Sequence, residues 1–131
     1  MSDTDPRIDV LSQANVEHVP GPADVTTVLV TLPPGSAGSP PHRHPGPVFG
    51  YLISGEMRFE VEGEPERIIR AGEAFWEPGG DLIHYQDANN LDDAETVFTV
   101  TAVLPPGADL LVPVSDEELA ERAHLRAPRS N

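Results

Sequence analysis

The segment Glu56-Met57-Arg58-Phe59-Glu60-Val61-Glu62 decides the fold class, because Met57, Phe59 and Val61 alternate with Arg58, Glu60 and Glu62. Successive side chains on an extended backbone point to opposite faces, so this pattern predicts a strand with three apolar side chains directed inward. Working outward, Gly55 turns the chain back into a strand from Val48 to Ser54, and Gly63-Glu64-Pro65 turns it forward toward Ile68 and Ile69. Val25 to Leu32 is rich in β-branched residues, and Ala74 to Glu77, Ile83 to Asp87 and Thr96 to Leu104 complete the expected strands. The strongest turn signal is Pro78-Gly79-Gly80-Asp81. Fifteen prolines and eleven glycines fall in clusters between the apolar runs, which suits many short strands joined by tight turns. Residues 1 to 24 read as a loosely ordered arm, with one short strand around Ile8 to Leu11.

A different pattern closes the chain. Ser115 is followed three residues later by Glu118, acids fill Asp116 to Glu118, and arginines fall at 122 and 126. A capping box with charges arranged to suit the helix dipole predicts a C-terminal helix beginning near Asp116. The chain's 131 residues suffice for one domain and one core. The formal charge of −14, from 22 acidic residues against eight arginines, repels nucleic acid and anionic lipid, and no basic patch offsets it. Acidic residues occupy the N-terminus where a secretory signal would carry positive charge, and no apolar run reaches bilayer length, so the expected location is the cytoplasm. Neither the G-x-S-x-G elbow nor a phosphate-binding glycine loop occurs.

Chemistry concentrates in histidine. In Pro41-His42-Arg43-His44 the two imidazoles, two residues apart on an extended backbone, share a face and can aim at one point. With no cysteine in the chain, disulfides and thiolate metal sites are excluded, and any metal must be held by imidazole, carboxylate or amide groups. His18 and His124 lack partner spacing and are expected at the surface.

The run from His42-x-His44 through Gly55 to Gly72-Glu-Ala-Phe-Trp-Glu-Pro-Gly-Gly-Asp-Leu-Ile-His84 resembles the two motifs of the cupin superfamily, over about residues 25 to 104. The resemblance implies an all-β jelly-roll barrel with a short C-terminal α-helix: an N-terminal arm over residues 1–24, a cupin barrel domain over 25–112, and a C-terminal helix and tail over 113–131. It further implies one divalent transition metal (iron, zinc, nickel, manganese or copper) held by His42, His44 and His84. Two departures stand out. The first motif usually places a glutamate four residues after its second histidine, where this chain has Val48, and the second motif here has one extra residue between Gly80 and His84. Three imidazoles still make a competent ligand shell. Gln86, two residues beyond His84, is the first candidate for a fourth ligand or a hydrogen-bonding support, and Glu77 is the second unless it is a solvent-facing turn acid.

Val48, Leu52, Met57, Phe59, Phe75 and Trp76 are expected to line a pocket for a small-molecule ligand. Phe49, Tyr51 and Ile53 make the opposite face of the same strand apolar, ready to pack on the arm or on a second subunit, and a homodimer is expected. The activity implied is a metal-dependent oxygenase, isomerase or cyclase, with non-catalytic ligand binding or sensing as the alternative on the same fold. Competition by protons is expected to weaken metal binding near pH 6.5, the ordinary histidine value.

Overall fold

The computed structural model describes residues 5–17, 19 and 21–128. Among these residues nine strands, β1 (Asp24–Leu32), β2 (His42–Arg43), β3 (Val48–Ser54), β4 (Glu56–Val61), β5 (Arg67–Arg70), β6 (Ala74–Glu77), β7 (His84–Asn89), β8 (Thr96–Leu104) and β9 (Val112–Pro113), are followed by helix α1 (Asp116–Arg122) and a 3-10 turn over Ala123–Leu125. They form two antiparallel sheets in the orders β1-β8-β3-β6 and β5-β4-β7-β2-β9. This is the jelly-roll architecture predicted for an all-β chain.

The core fills the space between the sheets. Leu52 and Phe98, paired across β3 and β8, face Met57, Phe59 and Val61 of β4, and all five are buried. Gly50 is required here because a Cβ on it would come 2.0 Å from the ring of Phe75, which occupies that space. Asn89 ties the edges of this core: its Nδ2 donates to the carbonyls of Pro33 and Ala94, both at 2.9 Å, while its Oδ1 accepts from Thr96 Oγ1 at 2.7 Å. A buried amide with its donors and acceptor engaged costs little and fixes the register of three segments.

The outer faces of the two sheets differ. Over the second sheet lies the C-terminal segment, whose helix is capped as the sequence predicts, Ser115 Oγ accepting from the Glu118 N–H at 3.1 Å. Arg122 forks onto Glu62 (Nη2 to Oε1 2.5 Å, Nε to Oε2 3.1 Å), and Arg126 forks onto Glu60 at 2.7 Å through both nitrogens while its guanidinium lies 4.3 Å from the centre of the Tyr85 ring. Bidentate pairing of this kind lets Glu60 and Glu62 be buried although they alternate onto the polar side of β4. Among the described residues the first sheet has no such cover: Val25, Leu29, Tyr51 and Ile53 are exposed on its outer face. The strand expected around Ile8 to Leu11 is not formed. That segment is exposed and pairs with no strand among the described residues.

Candidate metal centre

His42 and His84 sit opposite one another in the β2–β7 ladder and therefore share a face, which is the inner one. His44 follows β2, and the Pro78–Gly80 turn holds it in place: Gly80 N–H donates to the His44 carbonyl at 2.8 Å. Gly79 makes that approach feasible, with φ of +74° and with space for no Cβ, which would fall 2.0 Å from the Gly46 carbonyl. One ring nitrogen from each of His42, His44 and His84 lies within 4.8 Å of the others, in a group that could hold a metal ion. These are the three histidines that the cupin resemblance implies.

Each ring is oriented by a backbone carbonyl. His42 Nδ1 lies 2.8 Å from Pro40 O, His44 Nδ1 2.8 Å from Leu110 O, and His84 Nε2 2.8 Å from Gln86 O. A carbonyl can only accept, so the facing nitrogen carries the proton and the other nitrogen of each neutral ring presents a lone pair. Those lone pairs belong to His42 Nε2, His44 Nε2 and His84 Nδ1. The first two are 3.2 Å apart, and His84 Nδ1 is buried without a hydrogen-bond partner. Lone pairs held face to face in a dry site repel unless a cation or proton lies among them.

Glu77 lies against two of the three rings. Its carboxylate is 1% exposed and neither oxygen has a hydrogen-bond partner, yet Oε2 lies 3.1 Å from His84 Nδ1 and Oε1 3.5 Å from His44 Nε2. The alternative of a solvent-facing turn acid is thereby excluded. Glu77 pairs across the β3–β6 ladder with Val48, the position where the first motif ordinarily carries its glutamate. Cross-strand partners point to the same face, so a carboxylate reaches the same region from the neighbouring strand.

Gln86 is not brought to this cluster. Its amide donates to Glu60 at 2.6 Å and Glu66 at 2.7 Å, on the outer side of the sheet. The physical reason is a β-bulge: Glu60 pairs with Gln86 and Val61 with His84, so one step along β4 spans two along β7, and the alternation that would have kept Gln86 inside is broken at Tyr85. The same bulge turns Asp87 inward opposite Phe59, and Asp87 borders a cavity with His42 and His44. Asp87 was missed in the sequence because three residues from His84 is the wrong parity for a regular strand.

The expected pocket lining is also revised. Val48 borders the cavity beside the histidines. Leu52, Met57 and Phe75 lie in the solid core, and Phe59 packs its ring 4.9 Å from that of His84. Trp76 points the other way, stacked on Phe49 at 6.0 Å on the outer face, because it alternates with Glu77. His124 is exposed in the 3-10 turn as expected, and His18 lies outside the described residues.

Burial sets the electrostatics. It pushes His44 down to about 4, with the proximity of His42 acting in the same direction against the Leu110 hydrogen bond, and it pushes His84 down to about 3, aided by His42 and His44. Burial pushes Glu77 up to about 8, with a smaller contribution from the negative charge of Asp87. Asp87 is itself raised by burial, against the hydrogen bonds from Ser39. All four shifts favour uncharged groups in a site poor in water. Three imidazoles with free nitrogens turned toward one another could hold a divalent transition metal, and the buried carboxylate of Glu77 lies against two of them.

The cupin domain family model matches residues 28–101, more than half of the chain, and the chain belongs to the cupin family. No curated protein matches it. Among solved structures it is similar to an oxalate oxidase in complex with the substrate analogue glycolate, with a TM-score of 0.55 and 26% identity over 78% of this chain. The chain spans 57% of the length of that oxidase. It is also similar to a Thermus thermophilus protein (TM-score 0.53, 27% identity, 72% of this chain and 92% of the other). A DMSP lyase from Ruegeria pomeroyi shares the fold at a TM-score of 0.57 and 22% identity, over 69% of this chain and 43% of the lyase.

Proposed function

We propose that this protein is a metal-dependent cupin enzyme that acts on a small organic substrate, with one divalent transition metal held by His42, His44, His84 and Glu77. The observation that carries the reading is the set of three carbonyl-oriented imidazoles, two of whose free nitrogens lie against a buried carboxylate without hydrogen-bond partners. When bound, the ion would supply a Lewis acid that polarises a substrate oxygen. The chain's own residues do the rest: Val48 and the β1 and β8 side chains exclude water, and Asp87 offers an ionisable group within the cavity to take or return a proton. That group favours a catalyst over a passive binder, which needs only shape and hydrogen bonds. Elemental analysis of protein purified without added metal tests the reading, with about one transition-metal ion per chain expected; a clean chain that also refuses zinc or iron would sink it.

The pH dependence follows from Glu77. Below about pH 8 its carboxyl is protonated in the metal-free chain, so a bound cation must displace that proton, whereas His44 and His84 are already neutral down to about pH 4. Apparent affinity is therefore expected to rise with pH up to about 8 and then to level off. Calorimetry of zinc binding at pH 7 in buffers of different ionisation enthalpy should detect release of about one proton per ion, and Glu77→Gln should abolish it. Equal proton release by the variant would remove Glu77 from the site.

We further propose a homodimer through the outer face of the first sheet. Leu29, Thr99 and Tyr51 lie in one row across β1, β8 and β3, and Thr27, Thr101 and Phe49 in the next, with no charged side chain in either. Leu29 is 65% and Tyr51 38% exposed, a sizeable apolar patch on a chain carrying −14 charges. Sedimentation is expected to give twice the 14.1 kDa chain mass, and Leu29→Glu to return the monomer. A wild-type monomer at micromolar concentration would exclude the interface.

A further inference from the structure

Arg43 separates His42 from His44 and, by the alternation of an extended strand, points away from the space they share. Its Nε donates to the Asp81 carbonyl at 2.9 Å, and its Nη2 lies 2.7 Å from Oε1 of Glu118 in helix α1. Arg122 of the same helix also reaches Asp81, Nη1 to Oδ2 at 3.0 Å, while it forks onto Glu62. Three parts of the chain thus meet on one guanidinium: strand β2, the Pro78–Asp81 turn whose Gly80 N–H holds the His44 carbonyl, and the C-terminal helix. The helix needs such contacts. It has seven residues and none of them is buried, so apolar packing contributes little to its docking.

What the helix anchors is the segment before it. β9 is an edge strand of two residues, with His42 opposite Pro113 and Arg43 opposite Val112, and the Val114 N–H donates to the Pro41 carbonyl at 3.2 Å. Leu110, just ahead of β9, borders the cavity beside the histidines and accepts from His44 Nδ1 at 2.8 Å through its carbonyl. That bond decides which ring nitrogen carries the proton, and therefore whether Nε2 presents a lone pair to the centre. Resting on the metal-dependent reading above for what this nitrogen binds, we propose that Arg43 is a positioning residue: it clasps the turn and the C-terminal helix behind β2, keeps the Leu110 carbonyl in place, and so holds His44 in the form that can ligate a metal. Removing the clasp lowers metal affinity without altering any ligand.

The test uses the full chain with three substitutions. Arg43→Met keeps the aliphatic stem, Glu118→Gln removes the helix's end of the pair at a side chain that is 38% exposed, and Glu117→Gln removes the same charge from the same helix at an exposed residue. Proton–nitrogen NMR of the histidine rings in the metal-free chain at neutral pH reads the His44 tautomer. Wild type and Glu117→Gln are expected to hold the proton on Nδ1, and the other two variants to show a growing share on Nε2. Zinc affinity by competition titration is expected to fall about threefold with Glu118→Gln, the range of a partly exposed ion pair, and about tenfold with Arg43→Met, which also gives up the bond to Asp81. A structural role alone would lower the melting temperature while leaving tautomer and zinc affinity as in wild type; that result overturns the inference, as does an equal effect of Glu117→Gln. Should Arg43→Met fail to fold, Glu118→Gln decides by the same two readings. A chain that takes up no zinc yet shows the tautomer shift would keep the clasp and overturn the metal site. A chain that loads zinc with no tautomer shift in either variant would do the reverse.

Discussion

Replacing His84 by alanine is expected to lower zinc affinity by roughly two orders of magnitude or more while leaving the barrel folded. Zinc sites with four protein ligands bind with apparent free energies of about 10–16 kcal/mol, so one ligand in four accounts for roughly 3 kcal/mol, or a hundredfold in affinity. His84 combines two further effects, since its Nδ1 is the nitrogen closest to Glu77 and its ring packs on Phe59. His42→Ala and His44→Ala should fall in the same range, because each removes a nitrogen already turned inward by a backbone carbonyl. Two controls separate this from general damage. His124→Ala alters an exposed ring, and Gln86→Ala alters a side chain bonded to Glu60 and Glu66, so both should keep their metal. Metal content measured on folded protein decides the matter, and full retention by His84→Ala would falsify the assignment.

The largest loss of stability is expected from Phe59→Ala. The Phe59 ring is 1% exposed, 5.3 Å from the ring of Phe75 and 4.9 Å from that of His84, with the Arg67 guanidinium 5.1 Å from its centre. Deleting a buried phenyl ring costs about 3–5 kcal/mol, from lost burial and from the cavity left behind. Against a total of about 5–15 kcal/mol for a typical domain, this is a large fraction, and the melting temperature should fall by roughly 10–20 °C. Val10→Ala, in the exposed arm, should change stability by less than about 0.5 kcal/mol. Similar midpoints for the two variants in urea would mean that the space between the sheets is not the core.

Much of the strand pattern was legible because it depends on local parity. Val48–Ser54, Ala74–Glu77 and Thr96–Leu104 begin and end where turn residues and alternation placed them. His42 and His44 were legible together for the same reason, their even spacing, while His84 joined them through the resemblance to the second cupin motif. The misreadings arise where pairing between distant segments overrides parity. The bulge at Tyr85 depends on how β7 lies against β4, and it exchanges Gln86 for Asp87 on the inner face. Burial of Glu60 and Glu62 depends on arginines 66 and 60 positions further along the chain. The strand expected at Ile8–Leu11 had suitable residues but no neighbour, and propensity without a partner makes no sheet.

The pairing of Val48 with Glu77 bears on how such sites are recognised. A pattern written as residue types at intervals along the chain scores this protein as lacking its acid. Written as rungs of a ladder, the same rung carries a carboxylate, because the two ends of one rung supply side chains to the space they both face. Divergence can thus hand a carboxylate from one strand to the next without passing through a state that needs the whole site rebuilt. Apparent loss of an acid in a barrel of this kind is best judged by the strand next door.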